Sequence, residues 1–185
     1  MLWASDQRRN VMEELAPGVV VAVATEAERP LIEGLFQFYA YDFSEMSPPG
    51  SSDFQIGQDG SFGPYPYMES YWREASRVPL LIRLDGAPAG FALVNDHSPS
   101  GAPLDRNMAE FFVMRRYRRC RAGSAAVRAI LSRYPGRWQI AIAERNVGAK
   151  AFWPRAVTAT PGVEGLTTVQ GDGVRWAGPI LSFRA

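Results

Sequence analysis

Residues 109–124, AEFFVMRRYRRCRAGS, pass from an apolar run into a turn with five arginines and end in a series of small residues. The apolar run is typical of a strand, which the pattern places over 107–114. Apolar residues then recur at helical spacing at Val127, Ile130, Leu131 and Tyr134. The stretch therefore predicts a strand, a basic turn and a helix in direct succession.

The turn at residues 115–121 combines two features that favour anion binding. A helix N-terminus presents unpaired backbone N–H groups and the positive end of the helix dipole, and the small residues at 122–126 let an anion approach closely. The flanking guanidinium groups can form bidentate pairs with phosphate oxygens. The turn therefore predicts a pyrophosphate site. Two other interpretations stay open, a basic turn that only faces water and an RNA-binding patch, although a net charge near zero disfavours nucleic acid.

The patterns on either side of this unit predict an α+β or α/β domain with six or seven strands. Upstream they predict a strand over 19–24, a helix over 29–41, an irregular loop over 46–67, a short helix over 67–74 and a hairpin over 79–94 that turns at Asp85-Gly86. Downstream they predict a strand over 138–142, a helix over 146–153 that Pro154 ends, and two antiparallel strands over 167–169 and 174–183.

The composition limits the class of protein. With 185 residues, 46% hydrophobic content and a formal net charge of +1, the chain fits one compact domain and needs no strongly charged partner. The lone Cys120 excludes an intrachain disulfide and favours the reducing cytoplasm. No stretch reaches the roughly 18 apolar residues of a membrane span, and no spacing suggests a metal site. We expect a polar leader over 1–18 and one cytoplasmic, metal-free domain over 19–185.

Two short motifs carry a resemblance to a known family. RRCRAG at 118–123 resembles the Arg/Gln-x-x-Gly-x-Gly/Ala element of the GNAT acetyltransferases, and it lies, as in that family, between the fourth strand and the next helix. NVGAKAFW at 146–153 resembles the Asn-x-x-Ala-x-x-Leu/Phe-Tyr element of the helix beyond the fifth strand. The similarity in element order covers residues 19–183, and the stretch 109–153 is most similar to a bacterial subgroup of predicted acetyltransferases.

The resemblance implies a fold and an activity. The fold is α/β (α+β), with a central mixed, mostly antiparallel twisted sheet of six to seven strands, splayed between strands 4 and 5 and flanked by about four helices. The activity is that of an N-acetyltransferase, which moves an acetyl group from acetyl-CoA, or another acyl-CoA, to a primary amine by direct attack. We expect a small-molecule amine as acceptor, no metal, no membrane partner, and a monomer or a homodimer.

The resemblance also assigns the coenzyme A site. Backbone groups of the fourth strand would hold the pantetheine arm, and the basic turn would hold the pyrophosphate. Together with the second motif, the residues assigned in this way are Phe112, Val113, Met114, Arg118, Arg119, Arg121, Ala122, Gly123, Ser124, Asn146, Phe152 and Trp153.

Two positions depart from the family pattern. Arg121 occupies the place of the first glycine, where a side chain at positive φ costs on the order of 1 kcal/mol; it either weakens phosphate binding or binds phosphate itself. Trp153 occupies the place of a tyrosine that protonates the departing thiolate, and an indole cannot supply that proton. These departures motivate an alternative, a catalytically degenerate domain that binds acyl-CoA, beside the alternative of an RNA-binding or interaction module.

Catalysis needs a base and an oxyanion donor. We expect Glu110, which lies on the fourth strand near the presumed acetyl position, to act as the base, directly or through a water molecule, and the backbone N–H of Val113 to stabilise the oxyanion. The competing interpretation of Glu110 is a strand residue that only faces solvent. His97 has a suitable ordinary pKa but lies in an exposed loop, and Cys120 lies where phosphate is expected, so both are disfavoured. Tyr117 or water would replace the missing acid, or the enzyme would be slow.

The acceptor would lie against the end of the first helix, by resemblance. Tyr39, Asp42 and Glu45 follow one another at three-residue spacing there, and their side chains would receive a cationic amine. The competing interpretation is a helix end with ordinary surface acids. A series of aromatic residues from Phe62 to Trp72 would line the same cleft or belong to the core.

Overall fold

The computed structural model of the protein describes residues 18–48 and 50–185, so the predicted leader lies outside the described residues except for Gly18. The strands are β1 (Val19–Val23), β2 (Val78–Leu84), β3 (Ala87–Asn95), β4 (Arg106–Val113), β5 (Arg137–Ala141), β6 (Glu164–Gln170) and β7 (Pro179–Arg184). The helices are α1 (Arg29–Ser44), α2 (Ala122–Arg133) and α3 (Val147–Thr158). Short 3₁₀ segments lie at Glu26–Glu28, Glu69–Trp72 and Arg115–Tyr117.

The seven strands form one sheet in the order β1-β2-β3-β4-β5-β7-β6. Among the strand pairs of the described residues, only β4–β5 is parallel, and the other five pairs are antiparallel. The β2–β3 hairpin turns at Asp85 and Gly86, both with positive φ (50° and 79°), the geometry of a type I′ turn. The predicted mixed, mostly antiparallel sheet is confirmed.

Helices cover both faces of the sheet. On one face, α2 and α3 pack Val127, Ile130 and Trp153 against Met108 and its neighbours. On the opposite face, α1 packs against β3 and β4 through Ile32, Leu35, Phe36, Phe91 and Phe112. The amphipathic pattern of α1 in the sequence arises from this one-sided burial.

β4 and β5 separate soon after they begin. Their register contains only Arg106↔Trp138 and Asn107↔Gln139. On its other edge, β4 pairs with β3 at Leu93↔Glu110 and then at Val94↔Met108, so Ala109 is an extra, bulged residue. A bulge bends the strand that contains it and strengthens its twist. The predicted splay between the fourth and fifth strands is therefore present, and it opens towards the C-terminal end of β4.

Three predicted elements differ in the structure. The short helix over 67–74 is a 3₁₀ segment at Glu69–Trp72. Helix α3 does not end at Pro154 but continues to Thr158, because the burial of Ala156 and Val157 beyond the proline outweighs one missing hydrogen bond.

The last strand begins at Pro179 and not at 174. Asp172 Oδ1 accepts the backbone N–H groups of Val174 and Arg175, at 2.9 and 2.7 Å, and so fixes a turn there. A turn of this type competes with strand pairing, and this is why the β-branched Val174 does not extend the strand.

Candidate functional site

The splay opens into a cleft of about 1010 Å³ bounded by α1, the end of β4, the start of α2 and the connection from β5 to α3. The sequence-predicted residues on its walls are Tyr39, Asp42, Glu45, Phe112, Val113, Arg118, Arg119, Arg121, Gly123, Ser124, Asn146, Phe152 and Trp153. Three others do not line it: Ala122 is buried beneath the turn, Met114 packs against the α1 face of the sheet, and Glu110 lines a smaller pocket beside the cleft. Elements far apart in sequence thus bring most of the predicted residues together.

The basic turn ends at the N-terminus of α2, which begins at Ala122. The N-cap, Arg121, has φ 68° and ψ 0°, the left-handed conformation that glycine adopts most easily. Its backbone therefore follows the course a glycine would take, at a cost of about 1 kcal/mol. The N–H groups of the first helical turn have no partner within the helix, and Gly123 and Ser124 of this turn lie on the cleft wall.

The arginines around the cleft fall into two groups. Arg118 donates from Nε to the carbonyl oxygen of Val113 at 2.7 Å and from Nη2 to Asp42. Arg115 donates from Nε to the other oxygen of Asp42 at 2.9 Å. Within residues 18–48 and 50–185, no ion pair engages the three other cleft arginines, Arg119, Arg121 and Arg145. The turn thus offers guanidinium groups that are free to meet an anion.

Asp42 therefore has a different environment from the one the sequence suggested. It lies in the last turn of α1, its side chain is 16% exposed, and both of its oxygens are bound by arginines of the basic turn. Glu45 is 79% exposed and lies 3.6 Å from Arg115. The two acids expected to face an acceptor are paired with basic residues of the protein.

Glu110 lies at the bulge of β4, on the face that α1 covers. It lines a small pocket of about 70 Å³ that adjoins the cleft and shares Tyr39 and Trp153 with it. The hydroxyl of Tyr39 donates a hydrogen bond to Glu110 Oε2, and Tyr65 also interacts with the carboxylate. Burial raises the pKa of Glu110 to about 7, although both tyrosine hydroxyls favour the carboxylate. A carboxyl group in this state exchanges protons near neutral pH.

Val113 presents backbone polar groups to the opening. Met114 N–H binds Ala89 O on the β3 side at 2.9 Å, and N–H groups of successive residues face opposite edges of a strand. Val113 N–H therefore points towards β5, with which β4 pairs only at Arg106 and Asn107 among the described residues. The group is available as a donor inside the cleft.

Residues of the second motif stabilise helix α3 and also line the cleft. Asn146 caps α3, since its Oδ1 accepts the N–H of Ala149 at 2.8 Å. The rings of Phe111 and Phe152 stack at 6.0 Å, and Trp153 meets Phe111 edge-on at 5.1 Å. These aromatic rings form part of the cleft wall between β4 and α3.

Sequence reasoning missed Arg145, Phe43 and Phe111, all of which line the cleft. The sequence could have indicated Arg145, because this residue directly precedes the second motif. His97 and Cys120, the disfavoured candidates, are not on the cleft wall. His97 lies beside Arg77 at 3.3 Å, and Cys120 donates to Tyr117 O.

Two further features are absent from the part of the chain that the structure describes. No group of three or more His, Cys, Asp or Glu residues could hold a metal ion there. No helix there has the length and apolar character needed to cross a membrane.

Comparisons with known proteins were made on the sequence and on the structure. A model of the Acetyltransferase (GNAT) family matches residues 42–157, and a search among curated protein sequences finds no match. A GNAT-family acetyltransferase from Streptococcus agalactiae has a TM-score of 0.62, is 16% identical, and aligns over 91% of this chain and 95% of its own.

Two further solved structures contain coenzyme A. The PaiA N-acetyltransferase of Thermoplasma acidophilum, in complex with coenzyme A, has a TM-score of 0.55 at 11% identity and aligns over 90% of this chain and 99% of its own. An aminoglycoside acetyltransferase in complex with coenzyme A and kanamycin has a TM-score of 0.56 at 17% identity, over 90% of this chain and 94% of its own. At these identities, the structural likeness shows a shared fold.

Proposed function

The chain belongs to the Acetyltransferase (GNAT) family, whose members use acyl-coenzyme A, and we propose that it transfers an acetyl group from acetyl-CoA to a primary amine by direct attack. We propose a small molecule as the acceptor, since one protein of similar fold was solved with kanamycin. The exposed, unbridged thiol of Cys120 supports the cytoplasm as the proposed location.

The residues of the cleft suit acetyl-CoA. An open helix N-terminus and the guanidinium groups of Arg119, Arg121 and Arg145 are donors of the kind that phosphate oxygens require. The edge of β4 beyond Asn107 is unpaired on its β5 side in the described structure and offers backbone groups to an amide-bearing arm. When bound, acetyl-CoA supplies the acyl group as an activated thioester.

The protein's own groups perform the remaining tasks. Val113 N–H donates to the carbonyl oxygen as negative charge develops there. Glu110 accepts the proton that the attacking amine loses, directly or through a water molecule, and the hydroxyl of Tyr39 holds the carboxylate in place. Trp153 excludes water from the apolar end of the cleft and moves no proton.

The departing thiolate requires a proton from elsewhere. Tyr117 is half-buried, packs beneath the turn beside Ala122 and does not line the cleft. Water is therefore the proposed acid. The left-handed backbone of Arg121 keeps the turn in the conformation of a glycine, so this departure from the family pattern gives no support to a degenerate, non-catalytic domain.

The observation that carries the proposal is the position of Glu110, a carboxyl group with a pKa of about 7 at the point where β4 leaves β5. The test is release of free coenzyme A thiol from acetyl-CoA across a panel of primary amines, with the acetylated amine identified by mass. Acetylation of at least one amine, at a rate proportional to protein concentration, is the expected result. Tight binding of acetyl-CoA without transfer to any amine would contradict it.

A further inference from the structure

The acidic residues around the cleft and its adjoining pocket bear on the choice of acceptor, an inference that rests on the proposed function. They are Asp42, Glu45 and Glu110. Asp42 is bound by two arginines, and Glu45 lies beside Arg115 at 3.6 Å. Glu110 is the one acid of this set without a basic partner in the described part of the chain. A substrate with several ammonium groups would therefore find a single free carboxylate.

Aromatic side chains flank Glu110 on two sides. The rings of Tyr39 and Phe43 lie 4.4 Å apart on α1, and Phe111 and Trp153 meet at 5.1 Å on the opposite side. The rest of the small pocket is lined by Met108, Ala109, the segment 140–143, Asn146 and Ala149. Among the described residues, Glu110 is the one acid that lines this pocket, so a second ammonium group brought here would lose hydration without gaining a carboxylate partner.

The volumes of the pocket and of the cleft limit which part of the acceptor each can hold. The pocket at Glu110 has about 70 Å³, the space of roughly two water molecules. It suits an amino group and the carbon that bears it, while the remainder of the acceptor must lie in the wider cleft. Phe43 and Met46 of α1 line that cleft beside Tyr39, so the body of the acceptor meets apolar side chains.

We propose that the acceptor is a small primary monoamine whose single amino group lies at Glu110 and whose aromatic or branched apolar body packs against Tyr39, Phe43 and Phe111. Polycations such as polyamines and aminoglycosides are poor acceptors, because the described walls of the cleft and pocket offer their additional charges no further unpaired acid.

The test compares kcat/KM for four probes with the full-length protein and acetyl-CoA: phenethylamine, isoamylamine, spermidine and kanamycin. Phenethylamine and isoamylamine should exceed both polycations by a factor on the order of ten or more. If spermidine or kanamycin is the better acceptor, the inference is wrong while the proposed function stands. If none of the four is acetylated although other amines are, the inference is also wrong; if no amine is acetylated, the proposed function fails as well.

A pair of variants tests the reason for the preference. Phe43→Glu adds a free carboxylate to the acceptor wall and should shift the spermidine to phenethylamine ratio of kcat/KM about tenfold towards spermidine. Phe38→Glu adds the same charge on the exposed side of the same helix, where the side chain is 55% exposed, and should leave the ratio unchanged. An unchanged ratio in folded Phe43→Glu would overturn the inference.

Phe43→Leu provides a measurement that does not depend on the folding of a charged variant. Leucine keeps an apolar contact but removes the ring that faces Tyr39. The rate with phenethylamine should fall more than the rate with isoamylamine. Equal losses for the two amines would show that the ring does not contact the acceptor, contrary to the inference.

Discussion

Tyr39 donates a hydrogen bond from its phenolic hydroxyl to Oε2 of Glu110, joining the first helix to the bulge of the fourth strand across 71 residues of sequence. Burial keeps the pKa of Tyr39 well above its ordinary value, so the hydroxyl stays protonated and acts as the donor. The contact fixes one oxygen of a carboxyl group that titrates near pH 7. The proposed base is therefore oriented by a helix that also forms the proposed acceptor wall.

Glu110→Gln removes the proposed base and retains the shape of the side chain. We expect kcat/KM to fall by about 10² to 10⁴, with acetyl-CoA affinity unchanged. In the wild type, the carboxylate forms as the pH rises through about 7, so activity should increase up to that pH by more than the acceptor's own ionisation explains. Glu110→Gln should lose this pH-dependent increase in activity. Glu33→Gln on α1 is the control. If Glu110→Gln keeps the wild-type pH profile, Glu110 is excluded as the base.

Tyr39→Phe tests the hydrogen bond itself. The hydroxyl favours the carboxylate form of Glu110, so its removal should raise the pKa of Glu110 further. The midpoint of the pH–rate profile should then move to higher pH, while the ring continues to pack against Phe112. Tyr41→Phe, at a position 62% exposed on the same helix, should leave the midpoint where it is. A midpoint that moves to lower pH would contradict the assigned direction.

Arg121→Gly should stabilise the protein. The residue has φ 68°, and glycine adopts this conformation without the cost of about 1 kcal/mol that a side chain incurs. For a chain of this size the melting temperature should rise by roughly 2 to 4 °C. Arg128→Gly, an exposed position inside α2, should lower it by a similar amount because glycine disfavours a helix interior. A lower melting temperature for Arg121→Gly would show that its guanidinium is required for folding.

Asp42→Asn should strengthen acetyl-CoA binding. The Asp42 carboxylate engages Arg115 and Arg118 and places a negative charge on the cleft wall, so it competes with phosphate for these guanidinium groups. A partly exposed ion pair contributes up to about 1 kcal/mol, which corresponds to an affinity gain of about fivefold. Calorimetric titration gives the dissociation constant. Asp105→Asn, which breaks the ion pair with Arg137, is the control, and weaker binding by Asp42→Asn would contradict the competition.

The sequence was most informative where the determinants are local. The β2–β3 hairpin follows from Asp85 and Gly86, two residues that accept positive φ, and the strand, turn and helix around 107–134 follow from periodicity and five arginines. The splay between β4 and β5 was expected from the resemblance and was confirmed. The hairpin and the strand–turn–helix unit depend on residues close together in the chain, whereas the splay followed from the resemblance alone.

The features that sequence reasoning could not supply depend on tertiary contacts. Nothing local in the sequence indicates that Asp42 pairs with Arg118 across 76 residues, so its carboxylate was assigned to the acceptor. The continuation of α3 through Pro154 depends in the same way on the burial of Val157. Local propensity was outweighed by packing in that helix.

The most direct test of the account is a calorimetric titration of acetyl-CoA into the wild type, Ser124→Asp and Ser124→Asn. Ser124 is exposed in the first turn of α2 and lines the cleft. An aspartate there suits the helix dipole, so the fold should be retained, but its charge repels phosphate. We predict saturable binding to the wild type, near-normal binding to Ser124→Asn, and a large loss for Ser124→Asp. Equal affinity of all three proteins, or no binding to the wild type, would contradict a phosphate site at this turn.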